Sequence, residues 1–435
     1  MRKPPGKIVL VVKVFPMISE TFIVRKFRGL CESGLNVHLL CERSDAASWS
    51  KFSDLRNNED LRSRIHLAWP HQPRLLAVLL LPFAFFRSVL VRPRTTVKYL
   101  TRGYKKFGLD VFRRFYLDSG LILLAPDVIH FEFGAIAAER MYLGELLDCK
   151  LAVSFRGYDL NFVALEQQDF YRDVWEKADI LHLLGEDLWG SAKRRGCPDY
   201  KPRVLIPPAV DTEFFQCERE IVERVGTTER PLRILSVGRL EWKKGYEYGL
   251  QAVNALAEKG VECEYRIVGQ GEYLEALTFA RHQLGLEGRV DFTGACSQGE
   301  IRNEMIWADV LLHSAISEGF CNAVLEAQSM GLPVVCTDAG GLPENIVHGS
   351  TGFVVPRRSA AKLADQLKRL SAEPDLRSRM SKAGRERATS RFKAEEQIAQ
   401  FSAMYKRLLR AEESCSGEVA RDRSNEVGKM HLENR

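Results

Sequence analysis

Short apolar runs separated by helix-length stretches recur along the chain, and the series opens twice in the same way. K-I-V-L-V-V-K-V-F (Lys7–Phe15) and R-I-L-S-V-G-R (Arg233–Arg239) each lead through a loop into a helical pattern. The first is followed by Val37–Cys41, Asp127–Phe131, Lys150–Phe155, Ile180–Leu184 and Arg203–Pro207. The second is followed by Glu264–Val268, Val290–Thr293, Val310–His313 and Pro333–Thr337. Runs this short and this apolar, alternating with helices, predict parallel sheets covered on both faces. At 435 residues the chain exceeds one ordinary core. The expectation is therefore an α/β protein of two similar domains facing across a cleft, with ligands at the carboxyl ends of the strands.

The expected boundaries follow the pattern. Residues 1–213 form the first domain, the charged and strand-free 214–231 a linker, and 232–390 the second domain. Residues 391–410 read as an amphipathic helix with Ile398, Phe401, Tyr405 and Leu408 on one side, returning to the first domain. Residues 411–435 are polar and aperiodic and read as a disordered tail.

Four strand ends of the second half carry loops suited to phosphate and hydroxyl groups. Gly238-Arg239-Leu240-Glu241-Trp242-Lys243-Lys244-Gly245 offers a guanidinium, which grips phosphate as a fork, and an ammonium, which acts as a point charge. Gly269-Gln270-Gly271 permits close approach of a flat base or ribose, although a lone G-x-G is weak evidence. In S-E-G-F-C-N-A-V-L-E-A-Q-S-M-G-L-P, Glu318 sits in a loop of small residues, and Gly319, Phe320, Cys321 and Asn322 open a short helix that holds Glu326. Free N–H groups at a helix start bind phosphate, and the two carboxylates can accept from sugar hydroxyls. The eight-residue spacing alone carries nothing, because Glu264/Glu272 and Glu418/Glu426 share it. Thr337-Asp338-Ala339-Gly340-Gly341-Leu342-Pro343-Glu344 is the fourth loop. One such loop is ordinary surface; four in succession along one sheet point to a single site.

The net charge of +6 is concentrated early. Residues 1–114 hold 22 Lys/Arg against 8 Asp/Glu, and 74–114 hold ten basic residues with Asp110 the one acid. The same stretch contains L-L-A-V-L-L-L-P-F-A-F-F (Leu75–Phe86), too short to span a bilayer and interrupted by Pro82. An apolar helix flanked by Arg74, Arg87, Arg92, Arg94 and Lys98 suits an anionic membrane surface. A core helix followed by a solvated basic one is the other reading. No nucleic-acid motif accompanies the charge, so no nucleic-acid partner is expected. Ten cysteines at irregular separations, with no C-x-x-C, fit a reduced compartment, and the N-terminus reads as a first strand rather than a signal peptide.

From about Arg233 to Pro356 the chain resembles the group 1 (GT4-type) retaining glycosyltransferases of the GT-B fold, whose two domains are Rossmann-like. The resemblance lies in G-R-L-x-x-K-K-G, I-V-G-x-G, E-G-F-x-N-x-x-L-E-A, G-L-P-V-V and G-G-L-P-E-x-I-x-x-G-x-x-G-F-V-V, in that order. In the first half, S-E-T-F-I (Ser19–Ile23) is similar to the corresponding loop of bacterial exopolysaccharide and colanic-acid-type transferases. The resemblance implies that Arg239 and Lys244 hold the donor diphosphate and stabilise its departing charge. N–H groups around Phe320, Cys321 and Asn322 add to that cradle, Glu326 accepts from the ribose, and Glu318 accepts from the donor sugar. It implies retention by front-face attack, no cofactor and no metal, and no D-x-D motif is present. The implied partners are a UDP- or GDP-sugar and a lipid-linked saccharide, which places the protein in the cytoplasm on the inner face of the plasma membrane. Acceptor-side candidates are Ser19, Glu20, Thr21, His130, Arg156 and Asp159. Arg156 stands where relatives commonly carry His in an F-H-G-x-D loop. A nucleotide-sugar epimerase or hydrolase, or an inactive sugar-nucleotide-binding relative, would share the fold.

Overall fold

The computed structural model describes residues 6–17, 20–70, 74–218 and 223–410. They divide into two compact units. The first holds the chain to Leu183, Ser191–Ile206 and the residues from Ile398; the second holds Leu184–Gly190 and Pro207–Gln397. The sequence-derived tail, 411–435, and Ser19 lie outside the described residues.

Seven parallel strands form the first unit's sheet: β1 Ile8–Val14, β2 Val37–Arg43, β3 Ile65–Leu67, β4 Val128–Phe131, β5 Lys150–Phe155, β6 Ile180–Leu183 and β7 Arg203–Leu205. Their order is β3-β2-β1-β4-β5-β6-β7. β1 is buried on both faces from Ile8 to Val12, as its unbroken apolar run requires. Helix Thr21–Glu32 covers it with Ile23, Val24, Phe27 and Leu30, a spacing that returns to one face each turn. The helical residues 394–410 bring Phe401, Met404, Tyr405 and Leu408 into the same core.

The second unit's six strands, also parallel, are β8 Leu232–Val237, β9 Cys263–Val268, β10 Val290–Gly294, β11 Val310–His313, β12 Val334–Thr337 and β13 Gly352–Val355. Their order is β10-β9-β8-β11-β12-β13, so the winding reverses between β8 and β11. A crevice outside the strand ends at such a reversal is the expected ligand position. Arg230 enters β8 with both terminal nitrogens on Asp309, at 2.9 and 2.7 Å, which sets the register of β8 beside β11. Phe215 and Val225, from the segment expected as a linker, are buried in this unit's cores.

Three differences from the sequence reading have plain causes. β3 (I-H-L) and β13 (G-F-V-V) are edge strands too short and mixed to stand out as apolar runs. The apolar helix extends over Arg74–Val91 and runs through Pro82 instead of stopping there. Pro82 is exposed, so the carbonyl deprived of its N–H partner faces water. That helix is also not a core element. Leu75, Val78, Leu79, Phe83, Phe86 and Leu90 are exposed on one helical face, while Ala84 and Ser88 are buried on the other. Large apolar groups outside and small ones inside invert the usual pattern. Among the described residues, no helix is long and apolar enough to cross a membrane.

Candidate functional site

The strand-end loops of the second unit press on one another. The backbone at Gly269 passes so close to β8 that a Cβ there would stand 1.9 Å from the Gly238 carbonyl oxygen. Gly340, in the left-handed region at φ +55°, approaches the Glu318 carbonyl oxygen to where a Cβ would be 2.2 Å away. The Gly341 N–H donates to that same oxygen at 3.0 Å. These glycines serve loop-on-loop packing, and the packing fixes where the charged side chains stand.

Lys244 closes a single 3-10 turn, Trp242–Lys244, whose Lys243 carbonyl accepts from the N–H groups of Ile316 and Ser317 at 2.8 and 3.2 Å. The β8 loop is thereby tied to the β11 loop. Lys244 Nζ donates to Glu318 Oε2, and both side chains are largely buried. His313, the last residue of β11, places Nε2 3.3 Å from that oxygen and Nδ1 3.9 Å from Cys321 Sγ. Burial works to raise the Glu318 carboxyl, but Lys244 and His313 outweigh it and hold it at about 2. Burial likewise works to lower His313, and the sulfur of Cys321 and the carboxylate of Glu318 lift it to about 9. The cluster thus holds an ionised carboxylate between two cationic groups.

Cys321 is the N-cap of helix Asn322–Ser329 and offers that end no side-chain hydrogen bond. Its own backbone is clamped by Asn345: Oδ1 accepts from the Cys321 N–H at 3.3 Å, and Nδ2 donates to the Cys321 carbonyl at 3.0 Å. The first-turn N–H groups of Asn322, Ala323 and Val324 lie beyond that clamp, where an anion finds both donors and the helix dipole. Glu326 lies partly buried in the following turn.

Of the predicted residues, Lys244, Glu318, Gly319, Cys321 and Asn322 come together at this point. Arg239 does not join them. It is mostly exposed, and its guanidinium reaches Glu241 Oε1 at 2.8 Å, while Lys243 reaches the other oxygen at 2.8 Å. Gly269 and Gly271 hold the β9 loop against Gly238 and Leu240. His313 and Asn345 were not singled out from the sequence. His313 looked like the end of an ordinary strand, and Asn345 stood at an unspecified position of the G-G-L-P-E-x-I stretch. Their signal, distance from the Glu318 loop, is spatial.

The first-unit candidates separate into two groups. His130 is fully buried on β4, with Nδ1 2.5 Å from the Tyr405 hydroxyl and Nε2 2.8 Å from Ser154 Oγ. Burial and the nearby Lys26 and Arg156 charges keep its ring neutral. Asp159 is buried and accepts from the N–H groups of Ala135 and Arg156, at 3.0 and 2.9 Å, so it caps helix Gly157–Asn161. Arg156 stands at the edge of this core, with Nη2 3.3 Å from Glu132 Oε2 and its guanidinium 4.4 Å from the Phe22 ring centre. Glu20 and Thr21, partly exposed at the start of helix Thr21–Glu32, share that edge, and Glu20 acts electrostatically on Arg156. Lys26 and Glu132, which organise the cluster, were not anticipated.

Two doubly covered parallel sheets, one with charged loops gathered at its topological reversal, are the architecture of nucleotide-binding α/β proteins. Residues 218–387 match the family model for glycosyl transferases group 1. The chain is 28% identical over 379 residues to WcaL of Escherichia coli K12, described as a colanic acid biosynthesis glycosyltransferase, covering 81% of this chain and 87% of the relative. It is 26% identical over 377 residues to the amylovoran biosynthesis glycosyltransferase AmsK of Erwinia amylovora, covering 84% and 90%. The crystal structure of Anabaena HepE in complex with UDP and glucose superposes with a TM-score of 0.67 at 15% identity, over 92% of this chain and 99% of that one. That last likeness shows the fold alone. Residues 218–387 thus carry a glycosyl transferases group 1 domain, and the chain is similar over most of its length to exopolysaccharide glycosyltransferases and has the fold of the GT-B enzymes.

Proposed function

We propose that this protein transfers a sugar, with retention, from a nucleoside diphosphate sugar to a lipid-linked saccharide in exopolysaccharide, capsule or lipopolysaccharide assembly. The observation that carries the reading is the Lys244–Glu318 pair beside the N-terminus of helix Asn322–Ser329. Cationic and N–H donors at one point suit a departing diphosphate, and a carboxylate beside them suits sugar hydroxyls. Arg239 leaves Glu241 to grip the diphosphate when the donor binds, and Glu326 accepts from the ribose.

The acceptor hydroxyl attacks the anomeric carbon on the face from which the diphosphate leaves. Its oxygen forms the new bond to that carbon, the carbon–oxygen bond to phosphate breaks, and the proton passes to the departing phosphate oxygen. No dedicated base and no metal ion are needed for that balance. Glu318 steadies the positive charge developing at the anomeric carbon. Arg156, Glu20 and Thr21 supply the acceptor's contacts on the first unit.

UDP and GDP are the candidate donor nucleotides, and the fold likeness does not choose between them. The pathway is favoured by the similarity to WcaL and AmsK. The exposed apolar face of helix Arg74–Val91, continued by the basic helix Pro93–Phe107, favours a place on the anionic inner face of the plasma membrane. The test is incubation with radiolabelled UDP- and GDP-sugars and a membrane extract. Label in the lipid fraction supports the reading; free sugar or an epimerised nucleotide sugar would make the protein a hydrolase or epimerase instead.

A further inference from the structure

His313, Glu318 and Cys321 gather three kinds of donor atom in one small volume. A ring nitrogen, a carboxylate oxygen and the thiol sulfur all lie within 4.8 Å of one another. His313 faces the other two across opposite edges of its ring, with Nε2 3.3 Å from Glu318 Oε2 and Nδ1 3.9 Å from Cys321 Sγ, so an ion takes one of the two nitrogens. Around a tetrahedral zinc ion, with bonds of about 2.0 Å to nitrogen or oxygen and about 2.3 Å to sulfur, neighbouring donors stand roughly 3.3 to 3.6 Å apart. With one ring nitrogen as ligand, rotation of the side chains draws donors that start within 4.8 Å of one another to that spacing.

We infer that this trio is an inhibitory binding site for a thiophilic divalent cation, with Zn²⁺ as its type ligand. The donor set selects the ion: sulfur and imidazole favour zinc, whereas magnesium and calcium take oxygen ligands almost alone. The site is also preorganised. His313 ends a strand held between β8 and β12, and the Cys321 backbone is fixed on both its N–H and its carbonyl by Asn345. Binding releases the ring proton of His313 and the thiol proton of Cys321 to water, so that one thiolate and one carboxylate match the ion's two charges and His313 is the neutral third ligand. A fourth position stays open to water.

The inhibition follows from Lys244. Its ammonium and the metal ion compete for the same Glu318 oxygen, so coordination expels Lys244 and removes Glu318 from the donor sugar. Metal binding stands on the geometry alone. The inhibitory consequence rests on the transferase reading.

The test uses Co²⁺ as a spectroscopic stand-in and Zn²⁺ in competition with a chromophoric chelator, on the full chain freed of metal. One ion per chain is expected, with a thiolate-to-cobalt charge-transfer band. Cys321→Ser is expected to abolish the band, and His313→Asn to weaken affinity at least ~10-fold. Absence of the band, or equal affinity in Cys321→Ser, overturns the site. Because loss of folding in either variant would also remove the band, the wild-type chain supplies a second measurement. Zn²⁺ is expected to protect the Cys321 peptide from iodoacetamide, and failure to protect it also overturns the site. Finally, Zn²⁺ is expected to stop sugar transfer reversibly with chelator. Transfer unaffected at saturating, spectroscopically bound metal overturns the inhibitory role. Loss of all transfer without metal counts against the transferase reading and leaves the metal site standing.

Discussion

Lys26 and Glu132 form an ion pair inside the first unit, Nζ to Oε1 at 2.5 Å, with exposures of 2% and 0%. Lys26 also stands 3.9 Å from the centre of the Phe401 ring and 3.3 Å from His130 Nδ1. One lysine of the first helix thereby joins β4 to the returning C-terminal helix. Burial pushes its ammonium down to about 8 even though Glu132 pulls it up. Lys26→Met is expected to destabilise the first unit by about 3–5 kcal/mol, because it leaves Glu132 buried with only the Arg156 contact. Urea unfolding followed by tryptophan fluorescence measures this, and a loss below about 1 kcal/mol would show that the pair is not structural.

The Lys244–Glu318 contact is expected to be catalytic in weight. Lys244→Ala and Glu318→Ala should each lower sugar transfer by about 10²-fold or more, the scale seen when a preorganised electrostatic donor is removed. Arg239→Ala should have a smaller effect on the free protein's stability, since its guanidinium is mostly exposed on Glu241. Both site variants leaving transfer unchanged would remove the proposed assignment.

Gly340→Ala tests whether loop packing positions Glu318. The added Cβ falls 2.2 Å from the Glu318 carbonyl oxygen, and the backbone is left-handed at φ +55°. The conformational penalty alone is about 1–2 kcal/mol, and the clash adds to it. A measurable loss of both stability and transfer is expected. A variant as active and as stable as the wild type would show that the two loops move independently.

The pH dependence of the first unit is expected to contain a histidine step. His38 Nδ1 lies 2.9 Å from His66 Nε2, and burial followed by the repulsion of His66 lowers His38 from 6.5 to about 4. Between these values the unfolded chain takes up a proton that the folded chain refuses. Stability should therefore fall as pH drops from about 6.5 to about 4 and then level off with respect to this group. His38→Phe should flatten that interval in thermal unfolding curves taken across it. An unchanged slope would place the step elsewhere.

The sequence carried the strands because buried parallel strands must be apolar on both faces, and β5 and β11 were found to the residue. It singled out the Glu318 loop because four such strand-end loops follow one another along one sheet. It did not carry His130's position. A histidine inside an apolar strand has no visible partner until Tyr405, 275 residues away, is seen beside it. Arg239 and Lys244 looked equivalent as basic residues five apart, yet one pairs with Glu241 and the other with Glu318. Which acid a base meets depends on how the loops fold over each other, and local pattern contains no term for that.

Helix Arg74–Val91 shows the same limit, because composition could not choose between a core helix and a surface one. The fold chooses. Phe85 turns inward to the Phe115 ring at 6.0 Å, whereas Phe83 and Leu90 remain 67% and 81% exposed. On the proposed membrane placement, these six large apolar side chains enter the interface and the basic helix that follows favours an anionic one. Phe83→Asp with Phe86→Asp places two negative charges within that face without touching the buried Ala84 and Ser88. In sedimentation with vesicles, the wild-type chain is expected to co-pellet with phosphatidylglycerol and to release as salt rises, because the basic flank is screened. The double variant should stay in the supernatant while keeping the wild-type unfolding temperature. Equal pelleting of both proteins would show that the face does not meet the membrane.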